Sequence, residues 1–170
     1  MFHNKVINSA VLLSGSNLGN RVEYLTFAQL ELLQAGASIL KASALYESEA
    51  WGFESSAFVN QVLIVETELS SDQLLQLLQV IEKKAGRKRI PTSGYAARTL
   101  DLDILFFNNQ IIETADLTIP HPRLHERRFT LMPLHEIMPQ YKHPVLQQTV
   151  ETMLAKCPDM GKVEPFIAAL

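Results

Sequence analysis

The chain has 170 residues, of which 47% are hydrophobic and 19% charged, and its formal net charge is −3 at pH 7. This length and apolar content are typical of one folded domain with a substantial core, and they exclude a disordered or low-complexity protein. The single cysteine, Cys157, excludes an internal disulfide framework, and no apolar run approaches the roughly 18 residues of a membrane span. We therefore expect a single domain over residues 1–170 that is cytoplasmic, binds neither a membrane nor nucleic acid, and has no obligate protein partner or fused second enzyme.

The first half of the chain predicts three strands and two helices. Apolar residues recur at helical spacing after Asn20, and Ser70 and Gln73 have the spacing of a capping box before a second amphipathic stretch. The third strand is apolar on both faces, which favours a central position in the sheet. In chain order, the predicted elements are a strand over 6–14, a helix over 21–34, strands over 37–46 and 58–69, and a helix over 72–85.

The second half of the chain predicts one long strand over 99–107 and several short elements. These are a turn at Asn108 and Asn109, a strand at 111–112, and helices near 124–135 and 149–156. Together the elements follow the order β-α-β-β-α-β, with additions. This order predicts an α+β fold, a ferredoxin-like antiparallel sheet with additional strands that is flanked by helices.

The net charge hides a basic segment. Six Lys and Arg residues and no acidic residue lie between Lys83 and Arg98, whereas the rest of the chain carries a charge of −9. Such a run is either a solvated surface loop or an anion-binding site. Phosphate is the first candidate for the anion, because the Arg fork pairs with phosphate oxygens bidentately. Composition alone does not decide between these alternatives.

Two aspartates, Asp101 and Asp103, follow the basic segment in a predicted strand. Side chains two apart in a strand share a face, so these carboxylates are separated by roughly 6–7 Å. The alternate residues from Leu100 to Phe106 would form the opposite, core-facing side. Two partly desolvated like charges repel, and Mg²⁺ offsets this because it accepts one or two carboxylates together with water and phosphate oxygens. Solvent-facing acids are the alternative, but the neighbouring basic segment favours a metal with phosphate.

A bend fixed by Pro120 and Pro122 begins a segment rich in His and Arg. His121 and His125 lie four residues apart, but the H-E-x-x-H pattern is absent and Pro122 interrupts the spacing. This argues against a zinc hydrolase site. We expect anion contacts from His121 and Arg127 instead.

The loop around Trp51 joins two predicted strands and is followed by Phe58 and Asn60. Because Phe58 and Asn60 are two apart, a strand places them on one face. An aromatic ring and an amide suit a flat heterocycle with ring nitrogens, which needs a stacking surface and a hydrogen-bonding edge. Core packing for the Phe and a turn role for the Asn are the alternatives.

The turn from Gly15 to Arg21 runs from the first strand into the first helix. It lacks the G-x-x-x-x-G-K-[ST] spacing of a Walker phosphate loop. We expect a turn followed by a helix cap here, with a minor main-chain role at a site as the alternative.

Several of these segments together resemble the 6-hydroxymethyl-7,8-dihydropterin pyrophosphokinase family of folate biosynthesis. The most specific part is the run R-T-L-D-L-D-I from Arg98 to Ile104, followed by Pro120-His121 and by R-x-F from Arg127 to Phe129. The resemblance covers about residues 11–135. It implies an ATP-dependent transferase that moves pyrophosphate to the hydroxymethyl group of the pterin and releases AMP.

The resemblance also implies roles for individual residues. Asp101 and Asp103 would hold two Mg²⁺ ions along the triphosphate and, with Arg87 and Arg98, would form the catalytic set. The residues that would bind ATP are Gln79, Glu82, Arg87, Arg89, Arg98, Ile104, Leu117, Thr118, His121 and Arg127. The pterin would lie between the rings of Phe58 and Phe129, and the residues that would bind it are Ser48, Trp51, Phe58, Asn60 and Phe129.

The chain departs from the family pattern at a few positions. Ser48 stands where Thr is common, Ala50 where Pro is common, and Tyr95-Ala96-Ala97 where Trp-Gly-Pro is often found. These departures concern the first pterin loop and the loop before Arg98.

Two alternatives belong to other functional classes. A non-catalytic ferredoxin-like module that binds a nucleotide or RNA would give Asp101 and Asp103 no purpose, because carboxylates repel a phosphate backbone. It would also present several aromatic residues among the basic ones, yet Tyr95 is the only aromatic between Lys83 and Arg98. A pterin-binding regulatory protein without turnover is opposed by the intact aspartates and Arg98. Phosphoryl transfer needs charge neutralisation and positioning rather than a covalent nucleophile, and the sequence identifies no general base.

Overall fold

The computed structural model describes residues 5–87 and 97–168. In these residues an antiparallel sheet of six strands forms the centre of the fold, and two shorter strands pair beside it. The strands are β1 (Asn8–Ser16), β2 (Ser38–Ala42), β3 (Tyr46–Ser48), β4 (Phe58–Thr67), β5 (Asp101–Phe107), β6 (Ile112–Glu113), β7 (Thr118–Ile119) and β8 (Val163–Pro165). The helices are α1 (Arg21–Gln34), α2 (Ser71–Lys84), α3 (Arg128–Ile137) and α4 (Val150–Ala155), with a 3-10 turn at Leu124–Glu126.

The strand order is that of a ferredoxin-like fold. The large sheet runs β5-β1-β4-β3-β8, and β2 also pairs with β4. Within this sheet, β1, α1, β2, β4, α2 and β5 form the β-α-β-β-α-β unit, whose strands lie in the order β5-β1-β4-β2. The predicted α+β class is therefore confirmed, and β3 and β8 are the additional strands of the large sheet.

The two faces of the sheet pack against different helices. On one face, α1 and α2 press their buried leucines against β1 and β4, where Leu12 and Leu63 are fully buried. On the other face, α3 and α4 cover Val11, Val62 and Phe106. Each such side chain contributes about 1.5–3 kcal/mol relative to an exposed one, so both layers hold the sheet in place. Within residues 5–87 and 97–168, no helix has both the length and the apolar character needed to cross a membrane.

The predicted strand over 37–46 is divided into β2 and β3, which pair with β4 one after the other. Ser43 lies at the break. Its hydroxyl, rather than a main-chain carbonyl, accepts a hydrogen bond from Val62 N at 3.0 Å, and Ser43 N donates to Val62 O at 2.9 Å. A side chain that accepts from a main-chain N–H replaces a hydrogen bond between strands and so interrupts the strand. The alternation of apolar and polar residues along the sequence does not reveal this interruption.

A bulge in β5 changes which core its last residues join. Leu12 lies opposite Ile104, but Val11 lies opposite Phe106, so Leu105 is an extra residue in β5. An extra residue reverses the alternation of the side chains that follow it. The prediction that Phe106 shares the face of Leu100 and Leu102 is therefore wrong, because Phe106 packs in the core beneath α3 and α4.

The predicted helix near 124–135 begins later than expected. A 3-10 turn ends at Glu126, Arg127 has an extended backbone (φ −116°, ψ 108°), and α3 begins at Arg128. Arg127 is thereby held at the entrance of α3 rather than within a helix.

The capping box predicted for α2 is present. Ser70 Oγ accepts from Gln73 N at 3.3 Å, and Gln73 Oε1 accepts from Ser70 N at 2.9 Å. Gly86 has a φ of 81° just beyond the cap residue Ala85, the left-handed conformation that commonly ends a helix. Both ends of α2 are thus fixed by local sequence.

We predict that Ser70→Ala lowers the free energy of unfolding by about 1 kcal/mol, because the Gln73 amide loses its capping acceptor. Ser71→Ala, one residue into the helix, should change it by less than about 0.5 kcal/mol. Urea unfolding followed by circular dichroism measures both variants. Equal losses would contradict a specific capping role.

Candidate active site

The register of the sheet places the predicted site residues on one face. Asp101 lies opposite Gly15 in the β5–β1 pair, and Gly15 lies opposite Asn60 in the β1–β4 pair. Residues directly opposite one another, like residues two apart along a strand, point to the same face. The two aspartates of β5 therefore project from the same face as Phe58 and Asn60, which is the face that α3 and α4 cover.

A cavity of about 470 Å³ opens at this end of the sheet. Strands β1, β4 and β5, the last turns of α2 and the segment leading into α3 all contribute to its wall. Its volume lies within the usual range of small-molecule sites. The predicted site residues that line it are Ser48, Trp51, Phe58, Asn60, Gln79, Glu82, Arg87, Arg98, Asp101, Asp103, His121, Arg127 and Phe129.

Three of the predicted nucleotide contacts that the structure describes do not line the cavity. Ile104 and Leu117 are buried in the core beneath α1 and α2. Thr118 is an exposed residue of β7. Arg89 belongs to segment 88–96, which lies outside the described residues. The same segment contains Tyr95 and Ala96, two of the departures from the family pattern.

Asp101 is held between two guanidinium groups. Arg87 Nη1 lies 2.7 Å from Asp101 Oδ1, and Arg98 Nη1 lies 2.6 Å from Asp101 Oδ2. Arg87 also lies 2.5 Å from Glu82 Oε1, which accepts from Leu102 N at 2.8 Å. All four charged side chains are at least three-quarters buried, so solvent screens them less than it screens a surface ion pair. The network joins the end of α2 to the start of β5.

Asp103 lies two residues after Asp101 in β5, and both side chains are partly buried. Burial, and after it the negative charge of Asp101, raises the pKa of Asp103 to about 7, while the charge of Arg127 opposes the increase. An ionised carboxylate in such a place requires a nearby cation.

The donor set fits a hard divalent cation. Two carboxylates on one strand face, one of them with a raised pKa, are ligands of the kind that Mg²⁺ accepts. Within the described residues, no group of three or more His, Cys, Asp and Glu side chains is gathered into a metal cage. An ion held by Asp101 and Asp103 would therefore take its other ligands from water and substrate.

His121 is a neutral donor at this site. Its Nδ1 accepts from Arg123 N at 3.2 Å, which leaves the proton of the neutral ring on Nε2. Burial, and after it the positive charge of Arg127, lowers the pKa of His121 to about 4. The main chain of His121 donates to Leu105 O at 3.0 Å, which attaches the segment to the edge of β5.

Aromatic rings surround Arg127. Its guanidinium carbon lies 4.9 Å from the centre of the Trp51 ring and 5.6 Å from that of Phe129. Arg123 approaches the same Trp51 ring at 5.9 Å. These distances are within the range of cation–π contacts. The loop that carries Trp51 is thus packed against the residue that introduces α3.

The orientation of Asn60 is fixed by its neighbours. Its side-chain nitrogen donates to Ser48 Oγ at 2.9 Å, and both residues are buried. Gly15 lies against the other atom of the amide, because a Cβ at this position would lie 2.7 Å from Asn60 Oδ1. Any larger residue at position 15 would displace the amide.

Sequence reasoning missed several lining residues. The sequence predicts Leu13 in the first strand and Gly15 in the turn after it, with a minor main-chain role at a site as the alternative for the turn. Their cross-strand partners are Asp103 and Asn60, respectively. Pairing between distant strands has no local signal, so only the register could have identified them. The other lining residues that were not predicted are Glu49, Phe53, Leu75, Leu78, Leu102, Ala115 and Asp116.

Comparison with known families agrees with this arrangement. The model of the family described as 7,8-dihydro-6-hydroxymethylpterin-pyrophosphokinase (HPPK) matches residues 11–139. The chain belongs to this family. The resemblance stated from the sequence motifs is thereby confirmed.

Curated relatives support the same assignment. The 2-amino-4-hydroxy-6-hydroxymethyldihydropteridine pyrophosphokinase of Bacillus subtilis is 44% identical over 135 residues, which cover 78% of this chain and 80% of that protein. The enzyme of the same name from Aquifex aeolicus is 39% identical over 138 residues, 81% of this chain and 84% of that protein. The folic acid synthesis protein fol1 of Pneumocystis carinii is 41% identical over 168 residues, but these span only 22% of that longer protein.

Solved structures show the same fold. The Plasmodium falciparum HPPK-DHPS A437G structure with STZ-DHP superposes with a TM-score of 0.72 at 17% identity, over 91% of this chain and 46% of that chain. The chain therefore corresponds to less than half of that longer protein. Family membership supports a pyrophosphokinase role in folate synthesis and gives no support to a non-catalytic nucleotide- or RNA-binding module.

We predict that His121 stays neutral down to about pH 5, with a titration midpoint near 4 rather than near 6.5. The unfolded chain takes up this proton first, so the contribution of His121 lowers stability as the pH falls from 6.5 towards 4. Proton NMR of the ring hydrogens measures the midpoint, and the spectrum of His121→Gln assigns the resonance. A midpoint near 6.5 would contradict the neutral-donor assignment.

Proposed function

We propose that this chain transfers pyrophosphate from ATP to the hydroxymethyl group of 6-hydroxymethyl-7,8-dihydropterin and releases AMP, with residues 1–170 acting as a single pterin pyrophosphokinase domain. The observation that carries the proposal is one cavity at the end of the sheet, where Asp101 and its partners Arg87 and Arg98 lie beside Phe58 and Asn60. The names of the 39–44% identical relatives support it.

The phosphate subsite is formed by the carboxylate pair and its cations. Asp101 and Asp103 would hold two Mg²⁺ ions, which, when bound, neutralise phosphate charge and polarise the phosphoryl oxygens. Arg87 and Arg98 then transfer their hydrogen bonds from Asp101 to the phosphates, because phosphate accepts the same guanidinium fork. His121 adds a neutral donor and Arg127 a further cation.

The nucleotide lies along the end of α2 and the outer side of β5. Gln79 and Glu82 line the cavity there. Ile104 and Leu117 have buried side chains, so their contacts would come from the main chain. Thr118 and Arg89 complete the proposed ATP-binding set.

The pterin subsite is aromatic on two sides. The rings of Phe58 and Phe129 would enclose the flat heterocycle, as stacking requires. Asn60, held by Ser48, would present its amide to the ring edge, and Trp51 would close the subsite from the loop before β4. The rigid hold on Asn60 reduces the entropy lost on binding.

The transfer needs positioning rather than a covalent enzyme intermediate. The hydroxymethyl oxygen forms a bond to the β-phosphorus and loses its proton to water. The bond between that phosphorus and the oxygen bridging to the α-phosphate breaks, and this oxygen leaves as part of AMP. Arg87 and Arg98 stabilise charge on the transferred group, while the pterin subsite holds the attacking oxygen in line.

We predict that the wild-type chain forms AMP from ATP, Mg²⁺ and hydroxymethyldihydropterin, and that Asp101→Ala and Asp103→Ala each lower kcat by about 100-fold or more. Chromatography of the nucleotides measures AMP. The matched control is Asp72→Ala. Asp72 is an acidic residue in the first turn of α2 and is not among the residues that line the cavity. ADP as the nucleotide product, or full activity in both β5 variants, would contradict the proposal.

We predict that Phe129→Ala weakens pterin binding by about tenfold and changes ATP binding by less than about twofold, because it removes one stacking ring. Isothermal titration calorimetry with each ligand measures the two dissociation constants. Equal losses for both ligands would contradict the stacking role.

A further inference from the structure

Asn17 is a buried polar residue that the proposed chemistry does not use. It follows the last residue of β1, is 2% exposed, and is not among the residues that line the cavity. A buried amide must satisfy one acceptor oxygen and two N–H donors to avoid a desolvation cost of about 1–3 kcal/mol. The partners of Asn17 are therefore informative.

The oxygen side of Asn17 binds the residue that holds Asp101. Asn17 Oδ1 accepts from Arg98 N at 2.7 Å, and Asn17 N donates to Arg98 O at 3.1 Å. These two bonds close a ring between the turn after β1 and the main chain of Arg98. The side chain of Arg98 makes the 2.6 Å ion pair with Asp101.

The nitrogen side of Asn17 binds the loop that leads to the pterin subsite. Asn17 Nδ2 donates to Ser55 Oγ at 3.0 Å and to Ser56 O at 3.1 Å. This loop, between β3 and β4, carries Trp51 and ends at Phe58.

The turn that holds Asn17 is itself anchored at both ends. Ser16 before it is paired with Val59 in the sheet. Asn20 after it caps α1, where its Oδ1 accepts from Glu23 N at 3.3 Å. The position of the turn is therefore fixed, and Asn17 binds two separate segments to it: the loop between β3 and β4, and the main chain at Arg98.

We infer that Asn17 is a positioning residue that sets the pterin loop and Arg98 at a fixed distance from each other. It would touch neither substrate, and its functional meaning rests on the proposed pyrophosphokinase activity. Transfer requires the pterin oxygen and the triphosphate to meet in line, and a displacement of about 1 Å can lower a rate about 100-fold. A single amide that binds both loops limits such displacement.

The chemistry of the position is specific for asparagine. Aspartate has the same shape and keeps the acceptor for Arg98 N, but it replaces the donor to Ser55 and Ser56 with a carboxylate oxygen. That oxygen would face the Ser56 carbonyl oxygen, and two acceptors cannot form a hydrogen bond with each other. Alanine removes the side-chain bonds to both loops.

The kinetic test compares Asn17→Ala and Asn17→Asp with Asn20→Ala. Asn20 belongs to the same turn, but its side chain accepts a hydrogen bond from Glu23 N at the start of α1. We expect Asn17→Ala to lower kcat by about 10- to 100-fold. Asn17→Asp should mainly raise the KM for pterin, because the Arg98 bond remains. Asn20→Ala should lower stability through its cap and leave kcat and both KM values unchanged. Identical kinetics in Asn17→Ala and Asn20→Ala would overturn the inference.

Amide hydrogen exchange of Arg98 tests the same inference without reference to activity. We expect exchange at the Arg98 amide to be at least about tenfold faster in Asn17→Ala than in Asn20→Ala, since only the former lacks its acceptor. Unchanged Arg98 protection in Asn17→Ala would overturn the positioning role even in an active enzyme. Absence of AMP formation by the wild-type chain would instead overturn the proposed function, and the exchange result would still decide whether Asn17 holds Arg98.

Discussion

Two carboxylates on one face of a strand, Asp101 and Asp103, impose a constraint that the surrounding structure must meet. The burial of Asp103, and after it the repulsion from Asp101, raises the pKa of Asp103. Two guanidinium groups offset the charge of Asp101, and Glu82 in turn holds one of them. In the proposed chemistry these charged groups change partners. The arginines donate hydrogen bonds to phosphate oxygens, and the carboxylates bind a divalent cation.

The antiparallel sheet converts this local constraint into a site for two substrates. A single row of cross-strand neighbours runs from Asp101 through Gly15 to Asn60, so the proposed phosphate and pterin subsites are adjacent on one face. Glycine at the centre of the row allows the Asn60 amide to lie close to β1. α3 supplies the opposite wall, where Arg127 and Phe129 lie at its entrance.

Local sequence predicted the parts of the fold that local forces determine. The bounds of α1 agree with the prediction, and the capping box at Ser70 is present, because both depend on residues three or four apart. The common face of Asp101 and Asp103 follows from the pleat of a strand. The motif resemblance by itself identified most of the residues that line the cavity.

The remaining features depend on contacts between distant residues. The bulge at Leu105, the break at Ser43 and the extended backbone of Arg127 reverse or redirect side chains without a clear local signal. The hydrogen bonds of Asn17 join residues 38 to 81 positions apart. A turn sequence alone shows that a cap can form, but it does not show which loops the turn will hold.

The most direct test of the central claim is a crystal structure with Mn²⁺ in place of Mg²⁺, an unreactive ATP analogue and hydroxymethyldihydropterin. Anomalous scattering locates the manganese ions independently of the protein density. We expect manganese bonded to both Asp101 and Asp103, the guanidinium groups of Arg87 and Arg98 hydrogen-bonded to phosphate oxygens, and the pterin between Phe58 and Phe129. Manganese bound away from the two aspartates, with Arg87 and Arg98 still paired to Asp101, would contradict the central claim.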